Sequence, residues 1–276
     1  MVRILGILVG LGFVGVAAWS LLWGAVAYLK EPPQETVEHQ FHHHARDIGY
    51  SFDGPFGRYD RRQLQRGLQV YQEVCSACHS LQHVAFRNFH DLGYTEAEVR
   101  AIADRWPRKV ATINPRDGAP AERNAIPADH IPSPYPNETA ARGSNNNALP
   151  PDLSLITKAR EGGPAYVESL LTGYHNPPAN LPRENRPGPG LHFNPYFANL
   201  NIAMPPPLRP GLVTYADGTN ATPDQMAHDV AAFLAWTAEP GADSRKNMGL
   251  VVLVFLLIGT ILAYMAYQNV WAGKKH

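Results

Sequence analysis

Residues 247–273, NMGLVVLVFLLIGTILAYMAYQNVWAG, carry no charged side chain, and Arg245-Lys246 and Lys274-Lys275 bracket them. A bilayer core needs roughly 20 apolar residues of helix to cross it. Inside lipid the peptide groups of such a run can bond only to one another, so a lone segment has to be a helix. Tyr264, Tyr267 and Trp271 stand where an interfacial aromatic belt belongs. The flanking basic pairs are balanced and do not orient the span. The bland alternative is a buried helix of a soluble protein.

The other end repeats the pattern. Residues 4–29, between Arg3 and Lys30, are uncharged and mostly apolar. That is longer than the apolar core of about 7–15 residues usual in a secretory signal, although Ala25-Val26-Ala27 offers a small-x-small cleavage pattern. The expectation is an N-terminal transmembrane helix or uncleaved signal-anchor over 1–30, a domain over 31–245, and a C-terminal anchor with a short cytoplasmic tail over 246–276. Two spans put both ends of the middle domain on one side of the membrane.

Lys plus Arg number 24 and Asp plus Glu number 24, so the charge balance points to no nucleic acid. The run "HQFHHH" reads as a solvated tract, with adventitious metal binding as the second reading. Pro at 25 and Gly at 23 crowd into 114–151 and 176–211, where long functional loops with short elements are expected. Elsewhere helical signals dominate. Asp60 with Gln63 reads as a capping box before a helix with Leu64, Leu68 and Tyr71 on one face. Thr95 with Glu98 opens a second helix, with Val99, Ile102 and Ala103 inward and Trp106-Pro107 as its stop. Thr222-Pro223 with Gln225 opens a third, carrying Met226, Val230, Phe233 and Leu234 until Glu239-Pro240-Gly241. The fold class expected is mainly α, a domain with long irregular loops between membrane helices.

The haem is read from Cys75-Ser76-Ala77-Cys78-His79, which contains both cysteines of the chain. Two thiols three residues apart suit thioether bonds to the two vinyl groups, and the adjacent histidine can ligate iron from the same turn. A thioredoxin-like dithiol lacks its strand–turn–helix setting here, a structural zinc site wants more cysteines, and a disulfide remains the plainest alternative. Covalent attachment consumes both thiols and implies the oxidising face of the membrane. The sixth iron position decides between electron transfer and ligand chemistry. Of the five methionines, Met1, Met248 and Met265 lie in or beside the spans, and Met226 falls on an apolar helix face. Met204, in "NIAMPPPL", stands before three prolines that stiffen an extended backbone. Covering apolar surface is the alternative for Met204, and His130, His175 or His192 are alternatives for the ligand.

The stretches "GPFGRYDRRQLQRGLQVYQEVCSACHS", "NNNALPPDLSLI", "EGGPAYVESLLTGY", "FNPYFANLNIAMPPPL" and "DVAAFLAWTAEP", followed by an anchor, resemble cytochrome c1 of the bacterial type, the haem subunit of the cytochrome bc1 complex (ubiquinol–cytochrome c reductase). The resemblance runs from about Phe52 to the C-terminal anchor. It implies a haem c on Cys75 and Cys78, iron ligands His79 and Met204, and further haem neighbours at Asn145, Ala148, Pro150, Pro151, Ile156, Arg160, Tyr166, Leu170, Leu171, Phe197 and Ile202. Arg160 would pair with a propionate, and Pro150-Pro151 would wall the histidine side of the ring. Three departures stand out. Asn147 replaces a glycine of the family's "NNGALPPDLS", and tolerates φ > 0 better than most residues. A further disulfide, carried by some members, has no cysteines here. A retained 1–30 helix would be unusual among bacterial members.

The resemblance implies electron transfer from the Rieske iron–sulfur protein to a cytochrome c, with cytochrome b and membrane lipid as neighbours in a dimeric complex. The haem domain would sit on the periplasmic side of the inner membrane, and no quinol site would lie on this chain. The competing readings are a membrane-anchored cytochrome c subunit of a terminal oxidase and a ligand-binding haem protein with an open iron.

Overall fold

The computed structural model describes residues 2–32 and 35–273. Met1 and the Lys274-Lys275 pair lie outside the described residues. The chain divides at Phe41 into two units.

The first unit holds helix α1, Val2–Lys30, and a short helix α2, Val37–Phe41. α1 is exposed along its whole length, contains an 18-residue stretch with a mean hydropathy of 2.2, and is long and apolar enough to cross a membrane. Trp19 and Trp23, one turn apart, meet edge to face with centroids 5.7 Å apart.

The second unit is built on helices α3 (Arg61–Glu73), α4 (Glu96–Asp104), α5 (Glu138–Ser144), α6 (Ile156–Ala159), α7 (Gly163–Thr172), α8 (Pro223–Ala238) and α9 (Ala242–Trp271). α8 is the central element: Met226, Ala227, Val230, Ala231, Ala232 and Phe233 are fully buried. α3 crosses it at Gly67, where an added Cβ would stand 2.1 Å from the Asp229 carbonyl oxygen and 2.6 Å from Phe233 Cβ. The missing side chain lets the two backbones touch. Beside the crossing, the Arg66 guanidinium grips the fully buried Asp229 carboxylate with two hydrogen bonds, of 2.9 and 3.1 Å. A buried carboxylate is costly unless it is paired this way.

The caps behave largely as the sequence indicates. Thr95 Oγ1 accepts from the Glu98 amide at 3.3 Å while the Glu98 carboxylate accepts from the Thr95 amide at 2.7 Å, a complete box. Thr222 Oγ1 accepts from the Gln225 amide at 3.1 Å, with Pro223 opening α8. At α3 the cap differs from the expected box. Asp60 accepts from the Arg62 amide (2.9 Å), and Gln63 is buried in the helix interface.

The proline-rich stretches hold only short elements. Strands β1 (Val110–Ile113) and β2 (Pro120–Arg123) form an antiparallel hairpin with Val110 opposite Arg123. Strands β3 (His192–Phe193) and β4 (Asn201–Ile202) make a two-residue pair. Among the described residues these are the whole of the strand content, so the mainly α class holds.

α9 contains an 18-residue stretch with a mean hydropathy of 2.6 and is likewise long and apolar enough to span. Its first turns belong to the domain. Asp243 accepts from the Tyr59 amide (3.3 Å), Asn247 accepts from Arg58 (2.9 Å), and Lys246 donates to the carbonyls of Phe52 and Gly57. The helix therefore begins at Ala242, ahead of the charge pair that marks the edge of the apolar run.

Candidate haem site

α3 delivers the chain through Val74 into a single 3-10 turn, Cys75–Ala77. The amides of Cys78 and His79 both donate to the Cys75 carbonyl, at 3.1 and 2.9 Å. Ser76 bonds back to Gln72 O (2.7 Å), and the Tyr71 hydroxyl donates to His79 O (2.8 Å). The two thiols and the imidazole are thus carried on one rigid loop against the end of a core helix.

The imidazole has a fixed orientation. His79 Nδ1 lies 2.8 Å from Pro151 O. A carbonyl can only accept, which assigns the hydrogen to Nδ1 and leaves the Nε2 lone pair free, as a metal ligand requires. Burial lowers the pKa of His79, opposed by the Pro151 bond and the nearby Asp152 charge. The ring is therefore neutral at physiological pH. The segment supplying Pro151 is stitched to the residues after His79. Leu153 N–H donates to Ser80 O (2.9 Å), and the Asp152 carboxylate accepts from the Ser80 hydroxyl (2.7 Å) and the Gln82 amide (2.9 Å). His83 N–H donates to Ser154 Oγ at 3.1 Å. Burial alone would raise the Asp152 carboxyl, but its bonds to Ser154, Gln82 and Ser80 hold it below the usual value.

As a free thiol Cys75 is pushed up to about 12 by burial, with the Cys78 charge adding to it. Dithiol enzymes need the reverse, a thiol lowered to about 7 or less. The local electrostatics oppose that reading of the motif.

Upstream of Pro151, α5 ends at Asn145, whose side chain donates to Ala141 O (2.7 Å) and to the Tyr135 hydroxyl (3.0 Å). Asn146 and Asn147 take φ of 52° and 62°. The left-handed backbone expected at the family's glycine is present, and asparagine adopts it at modest cost. Ala148 N–H then donates to Asn145 O (2.9 Å), closing the loop before Pro150. Asn145, Ala148 and Pro150 are half-buried, and Pro151 is exposed.

A second group of candidates is built on α6 and α7. Ile156 opens α6 and packs on the core, as do Cys75, Tyr166 and Leu171. Arg160 follows α6, is exposed, and bonds to the Tyr166 side chain and to Ala159 O (3.0 Å). Among the described residues no carboxylate forms an ion pair with Arg160. Leu170 and Leu171 end α7. The fully buried Asn194 donates from its side chain to Leu170 O (2.7 Å), and Phe197 N–H returns to Asn194 O (3.1 Å). Leu200, at φ 65°, turns the chain into β4, where Ile202 is buried. Met204 lies just beyond, half-buried, with its carbonyl accepting from the Tyr174 hydroxyl at 3.1 Å.

These residues fit a haem. There is a pair of thiols on one turn, a neutral imidazole with Nε2 free, and a thioether on a proline-braced segment. Half-buried apolar side chains rest on a common core, and one guanidinium is left without a protein carboxylate. At His130 and His175, as at His79, a bond from Nδ1 leaves Nε2 free, and the His192 ring is not used in its backbone pairing. His130 Nδ1 lies 2.7 Å from Gln82 O, His175 Nδ1 lies 3.2 Å from Gly173 O, and His192 pairs with Ile202 in the β3–β4 ladder. In the histidine-rich tract His39, His43 and His44 are exposed, and no cluster of three metal-ligating side chains occurs among the described residues. Asp152, Tyr174 and Asn194 escaped the sequence reading, as did the hydroxyl bond of Tyr71, a residue the sequence marks only as part of an apolar helix face. Each acts through a bond to a residue distant along the chain or to a backbone carbonyl, and neither leaves a local pattern.

Residues 50–274 match the model of the Cytochrome C1 family. The chain belongs to the cytochrome c1 family. That family is the haem subunit of the cytochrome bc1 complex, an electron-transport assembly. A cytochrome c1 of Rhodospirillum rubrum is 46% identical over 240 residues, covering 82% of this chain and 87% of the relative. The mitochondrial cytochrome c1 heme protein of Kluyveromyces lactis is 44% identical over 268 residues, or 96% of this chain and 88% of the relative. A protein named cytochrome b/c1 in Bradyrhizobium diazoefficiens is 45% identical over 247 residues, which is 82% of this chain but 35% of that longer polypeptide. Membership in a haem-protein family, with two apolar terminal helices, makes this a membrane-anchored cytochrome.

Proposed function

We propose that this chain relays single electrons from the Rieske iron–sulfur protein to a cytochrome c within a bc1 complex. The reading rests chiefly on the His79 ring, whose Nδ1 is held by Pro151 O and whose Nε2 is left for a metal, on the same turn as Cys75 and Cys78. Cys75 and Cys78 would hold a haem through thioether bonds to its vinyl groups. His79 and Met204 would ligate its iron. Bound haem c supplies a one-electron couple, and methionine sulfur raises its potential. Arg160, which has no carboxylate partner among the described residues, would offer its guanidinium to a propionate. Asn145, Ala148, Pro150, Ile156, Tyr166, Leu170, Leu171, Phe197 and Ile202 shield the ring from water.

Cytochrome b is the neighbour proposed for α9, a placement supported by the relative whose name joins b and c1 in one polypeptide. The haem domain faces the periplasm from the bacterial inner membrane, where the thioether bonds are made, in a dimeric complex surrounded by lipid. Quinol oxidation takes place on another subunit, so the chain belongs to ubiquinol–cytochrome c reductase as its electron carrier. One CxxCH motif and a C-terminal anchor argue against an oxidase subunit, and Met204 argues against an open ligand-binding iron.

Carbon monoxide tests the assignment in the purified complex. Wild-type ferrous haem should resist CO. Met204→Leu should bind it fully and lose much of its midpoint potential. Rapid CO binding by the wild type, or an unaltered Met204→Leu protein, overturns the ligand set.

A further inference from the structure

The Met204 segment is almost without hydrogen bonds. Pro205, Pro206 and Pro207 have no amide hydrogens to donate. β4 ends at Ile202, and among the described residues 203–208 make one hydrogen bond, from the Tyr174 hydroxyl to Met204 O at 3.1 Å. Proline restricts the shape of this stretch but does not attach it to anything. Attachment at the residue that matters is left to a single phenol.

That phenol stands on a firm base. Tyr174 directly follows Gly173, the C-cap of α7. An added Cβ on Gly173 would lie 2.4 Å from the Tyr196 ring, so the helix end and the 194–197 loop are in close contact. Asn194 ties the same loop to Leu170 O (2.7 Å), and Arg46 binds Ser169 Oγ (3.0 Å) and Thr172 Oγ1 (2.5 Å) on α7. A carbonyl oxygen can only accept, so in this bond the Tyr174 hydroxyl is the donor.

We infer that Tyr174 is a positioning residue for the axial methionine: its hydroxyl fixes the Met204 backbone so that the thioether keeps its place against competing ligands. The inference rests on the reading of Met204 as the iron ligand. Losing one ordinary hydrogen bond moves an equilibrium by roughly two- to tenfold. The sulfur–iron bond should weaken by that factor while haem attachment, which depends on Cys75 and Cys78, is unaffected.

The test compares Tyr174→Phe, Tyr174→Trp and Met204→Leu in the purified complex. Four quantities are read: covalent haem stain, the sulfur-to-iron charge-transfer band against pH, CO occupancy of the ferrous haem, and midpoint potential. Tyr174→Phe should keep full haem stain, lose the band at lower pH, bind CO roughly two- to tenfold more readily, and show a lowered potential. Tyr174→Trp, which keeps an aromatic ring and a donor, should lie between Phe and wild type. Unchanged band, CO occupancy and potential in Tyr174→Phe, alongside an opened iron in Met204→Leu, overturn this inference alone. A CO-resistant Met204→Leu overturns the ligand assignment beneath it. If Tyr174→Phe does not accumulate, Tyr174→Trp decides: CO occupancy below that of Met204→Leu, up to and including the wild-type value, supports donor-based positioning, and an iron as open as in Met204→Leu overturns it.

Discussion

At the scale of the residue, Glu168 shows how a buried charge can be made useful. It is 8% exposed, and its Oε2 accepts from the Tyr50 hydroxyl (2.7 Å) and lies 2.8 Å from His228 Nδ1. The Tyr50 and His228 rings stack at 4.7 Å, joining the segment before α3 to α7 and α8. Burial alone would raise Glu168, but the bonds from His228 and Tyr50 hold it below its usual value. The Glu168 bond raises His228, against the opposing effect of burial, with Asp229 adding and Arg66 subtracting. A raised histidine contributes stability that is complete below its unfolded pKa, about 6.5, and fades as pH climbs through the folded value. A depressed glutamate contributes stability above about 4.5 that fades as pH falls through its folded value. The cluster is therefore strongest between about pH 4.5 and 6.5. Following heat-induced loss of the haem spectrum from pH 6 to pH 9 should show declining stability in wild type and a flatter profile in His228→Gln; parallel profiles would exclude the cluster as a source of pH dependence. Asn147 is the other residue whose behaviour local chemistry explains, since its side chain tolerates the φ of 62° found there.

At the scale of the element, helix ends are the most readable features, because a cap is a local bargain between one side chain and the amides two or three residues on. Thr95 and Thr222 follow that rule fully. Asp60 follows it with a different amide, that of Arg62, and Gln63 is buried. The β1–β2 hairpin is not legible: four residues with every second one exposed carry too little alternation to stand out among prolines and glycines. Nor is the reason for Gly67, which lies in contact with Asp229 and Phe233 far along the chain. In a lone helix Gly67→Ala would gain about 1 kcal/mol. Here a Cβ 2.1 Å from a backbone oxygen forces the two helices apart, a strain of about 1–3 kcal/mol in a packed core and more where backbone must move. The clash should win. Gly67→Ala should lower the yield of haem-stained subunit and its melting temperature, and a stabilised variant would mean the crossing is looser than drawn.

At the scale of the whole molecule, two apolar helices flank a domain whose own surface is mixed in charge. α9 is joined to the domain through Asp243, Lys246 and Asn247, which hold the 52–59 loop. Such ties make the anchor a continuation of the fold. A chain ended after Met248 retains them and lacks most of the second span. With α1 present it should stay in the membrane fraction through an alkaline carbonate wash; its appearance in the soluble fraction would show that residues 1–30 do not hold it there.

The sequence by itself determined the covalent and periodic facts: two apolar runs that must be helices, one CxxCH, capped helices, and a methionine braced by prolines. Each depends on neighbours along the chain, so a linear reading suffices. The family's motifs nominated Met204 as the second ligand, where spacing alone had left several candidates. Only the tertiary structure decided which nitrogen of His79 is free, that Pro151 contributes a carbonyl as well as a ring, and that Tyr174 reaches Met204. Those are contacts between segments distant in sequence, made through backbone oxygens that every residue carries. A backbone carbonyl has no signature in the sequence, so what binds to it becomes visible only once the chain has folded.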